Sequence, residues 1–268
     1  MNTTQTKLPG VYATTRKNNS IIYRSSFTFK GKHISLGSFD SPLTAGKAYE
    51  SACRLSQDMS IGTDDYSEDE PLPFEKWVVI INYRDNDLYI ATPIYIRKRY
   101  LSYYLDPQTE LKFSIDDLFY YSSHKIMRRG SHLFVADYGM QVSIKTRYGI
   151  KPNAVEGRDY YHKNGDNTDY RYENIEILNS YNGVEPILHK NRHMYRTRIH
   201  INGYMTVGYY DTPIQAAIAY NKAIDILRGN GIERNYRINY IEEISARTYA
   251  DIYHDISVSK KIWNYIAE

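Results

Sequence analysis

Hydrophobic and polar residues alternate with a period of two near the start of the chain, which is the pattern of a strand with one buried face. The predicted buried face carries Tyr23, Ser25, Phe27 and Phe29, and the outward face carries Arg24, Ser26, Thr28 and Lys30. A Gly31 turn follows, and apolar residues then resume at alternate positions. Ser41 and Pro42 next predict a helix, because Ser is a favoured N-cap and Pro a favoured first residue.

The same pattern returns in the last third of the chain, so that residues 183–227 repeat residues 10–55. The matched residues are Tyr23-Arg24 with Tyr195-Arg196, Gly31 with Gly203, Gly37 with Gly208, and Ala48-Tyr49 with Ala219-Tyr220. Thr212 and Pro213 take the places of the capping Ser and Pro. Alanines at helical spacing in both copies predict a helix that lies close to its sheet. Each copy therefore predicts three short strands followed by one helix.

The residues between and after the two copies follow different patterns. Residues 62–73 are acidic and rich in proline, which predicts a linker. Residues 77–100 are rich in Val, Ile and Tyr and predict strands, whereas residues 115–121 predict a short helix. The tail predicts two helices, over residues 241–254 and 257–267, and an apolar patch of Ile262, Trp263 and Ile266 that docks on the body or on a second subunit.

Composition narrows the cellular setting and the class of partner. One cysteine, Cys53, excludes an intramolecular disulfide and suits a reducing cytosol. The sequence contains nothing like a signal peptide and no apolar run near the roughly 20 residues of a membrane span, so we expect a cytoplasmic protein without a membrane partner. Residues 1–60 carry eight Lys and Arg against three Asp and Glu, and residues 180–240 carry eight against four. Basic ends around an acidic middle favour a polyanion held at the two ends.

The two copies resemble the AP2 DNA-binding domain, through their Gly-Val openings, the Leu-Gly-Ser-Phe-Asp turn of the first copy and the Ala-Tyr helices. This resemblance implies that the outward sheet face enters the major groove of double-stranded DNA. Tyr23 and Tyr195 stand where the family has a tryptophan. The candidate DNA contacts are Arg16, Lys17, Arg24, Ser26, Thr28 and Lys32 in the first copy, and Lys190, Arg192, Arg196, Arg198 and His200 in the second. Arg suits bidentate contact with guanine, and Ser, Thr and His suit bases or phosphates.

Residues 160–178, YYHKNGDNTDYRYENIEIL, predict a short strand carrying His162, a polar loop, and entry into a helix at residues 172–175. This stretch resembles the ββα-metal motif of HNH homing endonucleases, whose pattern is Asp-His, Asn-Gly-Asp, Asp-Asn-Arg and Glu-Asn-Leu. The resemblance implies that His162 is the general base and Asn174 a metal ligand. Tyr161 stands in place of the metal-binding Asp, and Tyr170 in place of the loop Asn.

The missing carboxylate at Tyr161 predicts a damaged metal site, because Mg²⁺ is normally held by one or two carboxylates. Asp159 lies on the same predicted strand face as Tyr161 but about 6–7 Å further along, too far to take the place of the missing carboxylate. Gln141 on the upstream strand aligns with another polar site residue of the family. The alternative is that His162, Asp166, Asp169 and Asn174 hold the loop together through local hydrogen bonds. We therefore expect no catalytic residues and no metal or other cofactor, with Mg²⁺ required only if the nuclease is active.

The predicted fold class is α+β, with two AP2-like units flanking a degenerate HNH-like domain. The predicted boundaries are 1–61 and 180–240 for the two units, 62–75 for the linker, 76–179 for the HNH-like domain and 241–268 for the helical tail. We expect a sequence-specific DNA-binding protein, monomer or homodimer, derived from a homing endonuclease and acting as a transcriptional repressor. The resemblance implies an origin in a phage or other mobile element, and a place on the nucleoid of the bacterial host. The alternatives are an active HNH endonuclease, and an RNA-binding or structural phage protein.

Overall fold

The computed structural model describes residues 3–152 and 154–266, and the chain forms two compact units. The first comprises Met1–Ile144 with Asn164–Asn174, and the second comprises Lys145–Lys163 with Ile175–Glu268. Both contain helices and small antiparallel sheets, so the α+β class is confirmed. Within the described ranges, no helix is both long and apolar enough to cross a membrane.

The first unit begins with a four-stranded antiparallel sheet in the order β1-β2-β3-β4, covered on one face by a helix. Its elements are β1 (Thr3–Gln5), β2 (Val11–Thr15), β3 (Ile21–Phe29), β4 (Lys32–Phe39) and α1 (Pro42–Gln57). The Ser41 side chain caps α1 by accepting a hydrogen bond from the amide of Leu43. Ala45, Ala48 and Ala52 lie on the face of this helix that packs on the sheet and are completely buried, as their spacing predicts.

The second helix of the first unit, α2 (Phe74–Asn86), overturns the prediction of strands over residues 77–100. Every residue from Trp77 to Arg84 is buried, so the helix has no polar face. A helix buried on all sides shows no 3.6-residue period, and its Val, Ile and Tyr content then favours a strand on composition alone. Within that stretch only Ile94–Ile96 forms a strand.

The acidic segment before α2 is packed rather than extended. Leu72 is completely buried, and the Trp77 indole donates a hydrogen bond of 3.1 Å to the carbonyl of Gly62. Tyr66 contacts the Trp77 ring edge-on, with 5.4 Å between centroids. The hydrophobic core of the first repeat therefore includes apolar residues of this acidic segment, Tyr66 and Leu72, and continues into α2.

The rest of the first unit consists of two small antiparallel sheets, ordered β5-β6-β7 and β10-β9-β8, and a short helix. The elements are β5 (Ile94–Ile96), β6 (Leu101–Asp106), β7 (Thr109–Phe113), α3 (Leu118–Ser123), β8 (Ile126–Arg129), β9 (His132–Asp137) and β10 (Met140–Ser143). A 3-10 turn at Ile115–Asp117 runs into α3. The short helix predicted over residues 115–121 is therefore confirmed.

The second unit contains a two-stranded hairpin, then a three-stranded antiparallel sheet in the order β13-β14-β15 with a helix on one face. Its elements are β11 (Tyr160–His162), β12 (Ile175–Ile177), β13 (Val184–His189), β14 (Arg192–His200), β15 (Tyr204–Tyr210), α4 (Pro213–Gly229), α5 (Ala246–Asp255) and α6 (Lys260–Trp263). Thr212 caps α4 and forms a reciprocal capping box with Gln215. Three strands and a capped helix in both units confirm the repeat predicted from the sequence.

The repeat extends to one local irregularity of the two sheets. The pairing register shifts at matching positions, between Ser25 and Ser26 of β3 and between Thr197 and Arg198 of β14, and the extra residue lies on the third strand, Leu36 on β4 or Val207 on β15. In the first copy the amide of Ser26 donates to the carbonyl of Gly10 at 2.9 Å, and in the second the amide of Arg198 donates to the carbonyl of Gly183 at 2.7 Å. Each glycine thus contacts the central strand at the point where the register shifts.

The tail is less helical than predicted. Helix α5 begins after Ser245, whose side chain accepts from the amide of Thr248, so the helix starts five residues later than residue 241. Helix α6 has only four residues, and Ala267 at the end of the predicted helix lies outside the described residues. Ile262 is completely buried in the core of the second unit, whereas Trp263 is 52% and Ile266 76% exposed. Of the predicted patch, one residue docks on its own unit and two face solvent.

Candidate nucleic-acid interface and the nuclease-like loop

The polar loop that suggests a nuclease is closed around a buried carboxylate in the first unit. Asp169 is completely buried and accepts hydrogen bonds from Arg171 Nη2 at 2.6 Å and Nε at 2.8 Å. The Asn164 amide donates to the same carboxylate at 2.8 Å. A carboxylate with three charge-assisted or amide donors is stable as an anion despite burial, and these hydrogen bonds outweigh desolvation and lower its pKa.

The side chain of Asn174, the predicted metal ligand, forms hydrogen bonds within the same loop. Its Oδ1 accepts from the amide of Asn164 at 3.0 Å, and its Nδ2 donates to the carbonyl of Asp169 at 2.9 Å. The side chain is almost completely buried, with 5% exposure of the residue. The side-chain oxygen that would have to bind a metal therefore already accepts a hydrogen bond that closes the loop.

The loop is anchored on strand β7 through Lys112. The Lys112 amide donates to the carbonyl of Thr168 at 2.9 Å, and the Tyr170 amide donates to the carbonyl of Lys112 at 2.8 Å. Lys112 Nζ also pairs with Asp166 at 2.9 Å. Burial alone would raise the pKa of Asp166, but hydrogen bonds from Thr168 and Lys112 outweigh it and lower the pKa to about 2.

Tyr170, which the resemblance aligns with a loop Asn, is a core residue. It is 4% exposed, and its ring stacks on Phe113 with 5.7 Å between centroids. The aromatic side chain joins the loop to the β5-β6-β7 sheet through apolar contact. A packing contact therefore stands where the resemblance implies a polar loop residue.

In the second unit, His162 lies on β11 as predicted, but it is buried. Its Nδ1 lies 2.7 Å from Glu156 Oε1, and the side chain is only 1% exposed. A carboxylate at this position orients the imidazole through a hydrogen bond. The imidazole of His162 cannot reach a substrate in this conformation, so the structure does not present it as a general base.

Tyr161 and Asp159 do not supply the missing metal ligand. The Tyr161 hydroxyl donates to Glu176 across the hairpin at 2.8 Å, which raises the pKa of the phenol. Asp159 precedes β11, so the prediction that it shares a strand face with Tyr161 is wrong. It is 2% exposed and is held by Arg158 at 2.6 Å and by the Asn179 amide at 2.8 Å.

The helix expected in a ββα motif is also missing from its predicted place. Residues 172–174 form a single 3-10 turn, and Ile175–Ile177 continue as strand β12 rather than as a helix. Between β12 and β13 the described residues form only bends and a turn. The prediction of a helix entry at residues 172–175 is therefore wrong, because the buried Asn174 ties the turn to the loop and directs the chain into the hairpin.

The residues of the motif do not fit a magnesium ion. Tyr161 offers a phenol of raised pKa, and Asn174 offers an amide whose two polar atoms are both engaged. Gln141 lies exposed on β10, paired with Ala136 of β9, and so belongs to another sheet than β11. Over residues 3–152 and 154–266, no three His, Cys, Asp or Glu side chains are grouped as metal ligands.

The outward face of the first repeat is polar, and its residues are available for contact. Arg24 and Thr28 are exposed and Ser26 half-buried, and they alternate with the buried Ser25 and Phe27. Arg24 forms no hydrogen bond or ion pair with any residue that the structure describes. The remaining candidates lie at the hairpin turns: Arg16 within 3.9 Å of Asp40, Lys17 exposed beside it, and Lys32 over the ring of Tyr89 at 4.7 Å.

The second repeat places Arg196, Arg198 and His200 at the positions of Arg24, Ser26 and Thr28, but its two arginines are paired. Glu185 on β13 lies 2.5 Å from Arg196 Nε and 2.8 Å from Arg198 Nε. Lys190 and Arg192 lie exposed at the β13–β14 turn.

Sequence analysis missed Glu185, which is only 7% exposed and directly faces Arg196 across the two strands. The first repeat has Tyr12 in the corresponding position, facing Arg24. An acid in place of this tyrosine was the signal that could have revealed the pairing. Tyr204 and Tyr209, also missed, lie on the same face: the Arg198 guanidinium lies 4.8 Å from the Tyr204 ring, and Tyr209 stacks on His189 at 4.2 Å.

Comparison with protein-family models, with curated proteins and with solved structures gives no match to this chain.

Proposed function

We propose that this protein binds double-stranded DNA sequence-specifically through the outward faces of its two repeat sheets, and that it acts by occupying the site without cutting it. The observation that carries the proposal is the matched outward row on the two central strands, Arg24-Ser26-Thr28 and Arg196-Arg198-His200. Both rows cross the same register shift of their sheets, and in both the amide after the shift donates to a glycine carbonyl, so the two repeats present these side chains in the same way.

The chemistry of these rows suits duplex DNA. The major groove is about 12 Å wide and admits strands, and an arginine contacts guanine through two hydrogen bonds. Basic residues at the turns, such as Lys17 and Lys190, suit phosphates and add affinity without sequence preference. The deep, narrow major groove of an RNA helix does not admit the same face, which disfavours double-stranded RNA as the ligand.

The two repeats differ in how their arginines are held. Among the described residues Arg24 has no acidic partner, whereas Glu185 fixes the orientation of Arg196 and neutralises part of its charge. We expect Arg24→Ala and Arg196→Ala each to weaken binding to the preferred duplex by about 1–3 kcal/mol. The measurement is in-vitro selection of a duplex followed by titration, with Arg99→Ala as the control because Arg99 is exposed and lies outside both sheets. Unchanged affinity and selectivity in both variants would exclude the sheet faces as the interface.

The absence of cleavage is supported by the engagement of Tyr161 and Asn174. The alternative, a Mg²⁺-dependent HNH homing endonuclease, is favoured by one observation, the His162–Glu156 pair at 2.7 Å, which resembles a base with its orienting carboxylate. A supercoiled plasmid carrying the selected duplex, incubated with Mg²⁺ or Mn²⁺, separates the two. Specific nicking by the natural chain supports the endonuclease. No nicking by the natural chain, with recovery in Tyr161→Asp, identifies a decayed nuclease.

We propose transcriptional repression as the consequence of occupancy, and descent from a homing endonuclease of a phage or other mobile element as the origin. A reporter whose promoter overlaps the selected site should lose expression when the protein is present, and Arg24→Ala should restore it. Two binding sheets on one chain raise avidity when both engage one duplex, so the proposal requires only a monomer. Sedimentation of the protein with and without duplex distinguishes this monomer from a homodimer formed through Trp263.

A further inference from the structure

The second unit contains a cleft of about 390 Å³ beside the outward face of β14. Its lining includes the cationic side chains of Lys151, Arg158, Arg198 and Arg237. Tyrosine rings form part of its wall, and a volume of this size falls in the range of small-molecule sites. The cleft lies outside the set of residues that sequence analysis assigned to DNA, except for Arg198 and His200.

Two almost buried carboxylates organise the cationic side chains of this cleft. Asp159 lies 2.6 Å from Arg158 Nη2 and 3.5 Å from Lys151 Nζ. Glu185 lies 3.6 Å from Arg158 Nη1 and 2.8 Å from Arg198 Nε. These two acids hold the guanidinium groups in place before any ligand arrives, which reduces the entropy that a ligand must overcome.

The charges of the cleft do not cancel. Four cationic side chains against two carboxylates leave two positive charges in a partly enclosed space. Arg237 is exposed, and it forms no ion pair with any residue that the structure describes. Arg198 uses Nε and Nη2 for Glu185, and its Nη1 forms no hydrogen bond with the described residues. The cleft therefore retains donors and positive charge for an anion, and a phosphate group matches both.

Tyrosine rings in the wall of the cleft offer a surface on which a flat ring can stack next to the anion. Tyr204 receives the Arg198 guanidinium at 4.8 Å from its ring centroid and is 68% exposed, so much of this side chain remains accessible. Tyr236 also lines the cleft, and its hydroxyl donates to the carbonyl of His200 at 3.1 Å, which ties this segment to β14. Aromatic rings beside arginine are the chemistry on which nucleobases stack.

We propose that this cleft binds a single nucleotide, with its phosphate between Arg198 and Arg237 and its base against Tyr204. The nucleotide has two possible sources, a free mononucleotide or one nucleotide of a bound DNA strand. The first source does not depend on the proposed DNA-binding function, and the second does.

The test uses calorimetric titration of the full chain with adenosine 5′-monophosphate, adenosine and inorganic phosphate, and a separate titration with the selected duplex. For a free mononucleotide, adenosine 5′-monophosphate should bind at least tenfold more tightly than adenosine, because the phosphate supplies the charge-assisted contacts. Arg237→Ala should weaken this binding by about tenfold. Arg247→Ala is the matched control, since Arg247 is also exposed but lies on α5 and does not line the cleft.

A nucleotide of a bound strand gives a different result. Arg237→Ala then weakens duplex binding and lowers the salt slope by about one counterion, while Arg247→Ala leaves both unchanged and the mononucleotide does not bind. Mononucleotide binding that responds to Arg237→Ala, without any duplex binding, supports the cleft and rejects the proposed DNA-binding function. Equal affinity for adenosine and its monophosphate overturns the proposal. So does unchanged binding of mononucleotide and duplex in the double variant Arg237→Ala/Tyr204→Ala, or no binding of either probe.

Discussion

The matched glycines Gly10 and Gly183 offer the sharpest test of how closely each repeat packs its helix and central strand. A Cβ added at Gly10 would lie 2.3 Å from Tyr49 Cδ2 and 2.4 Å from the carbonyl oxygen of Ser26. At Gly183 the corresponding contacts are 2.4 Å to the Tyr220 ring and 2.5 Å to the carbonyl oxygen of Arg198. Since one of the two contacts is to backbone, a rotation of the tyrosine cannot relieve both.

The magnitude follows from a matched pair within the first repeat. Gly10 has φ +65° and Gly31 has φ +77°, so an alanine at either position carries the strain of left-handed backbone, about 1–2 kcal/mol. A Cβ on Gly31 meets no atom within 4 Å, whereas one on Gly10 overlaps a ring and a carbonyl. Overpacking of this kind typically costs about 1–3 kcal/mol more. We therefore expect Gly10→Ala to be less stable than Gly31→Ala by about that difference.

Thermal unfolding followed by tryptophan fluorescence measures this difference. The chain has two tryptophans, and Trp263→Phe leaves Trp77, buried in the first unit, as the sole reporter. A difference of about 1–3 kcal/mol corresponds to roughly 2–12 °C in Tm for a unit of this size. Equal losses of Tm in Gly10→Ala and Gly31→Ala would refute the close approach of Gly10 to Tyr49 and to the carbonyl of Ser26.

Three further predictions concern single polar groups. Arg84→Leu removes the donor for three backbone carbonyls and should destabilise the first unit by about 3–5 kcal/mol, measured by urea unfolding. The control is Arg99→Leu at an exposed position, which should change stability by less than about 0.5 kcal/mol. The lowered pKa of Asp166 contributes stability that is present above the ordinary carboxyl pKa of 3.8 and is lost as pH falls towards about 2. Asp166→Asn should therefore remove part of the loss of stability on acidification between those values. An unchanged dependence of stability on pH in this range would contradict the argument. Glu185→Gln should destabilise the second unit by only about 1–2 kcal/mol, because Arg196 is about one third exposed and its guanidinium can be hydrated once the carboxylate is gone. The same variant should bind non-specific duplex more strongly at low salt.

The repeated units were predictable because their signals are local. Alternation along β3, the Ser41 and Thr212 caps and the proline after each cap depend on neighbours within a few residues. The close packing of Gly10 against Tyr49 was not predictable, since it joins residues far apart in the chain. The outward direction of Arg196 followed from alternation, but its ion pair required the register that places Glu185 opposite it.

Helix α2 shows where local pattern fails for a physical reason. Hydrophobic period reports the contrast between a buried and an exposed face, and residues Trp77–Arg84 have no exposed face. The polar atoms of this helix are satisfied from inside the unit, as Asn82 shows by donating to the carbonyl of Leu88 at 2.9 Å. Such a segment can be assigned only once its neighbours are known.

The residues of the nuclease-like loop are explained by the stability of the loop alone, without the chemistry that the motif suggests. Asp169 is buried with Arg171 and Asn164 as partners, and Asn174 closes the loop at both ends of its amide. Removing one member would leave a buried polar group unsatisfied, at a cost of about 1–3 kcal/mol or more for the carboxylate. These residues are therefore constrained by stability whether or not the protein cuts DNA, and their presence carries little information about catalysis. Tyr161 is the more informative position, because its hydroxyl makes only a partly exposed contact with Glu176 and the hairpin backbone does not depend on it. This position, which the fold leaves open, carries a phenol rather than the carboxylate that a nuclease of this kind would need, and the proposed function therefore rests on the sheets rather than on the loop.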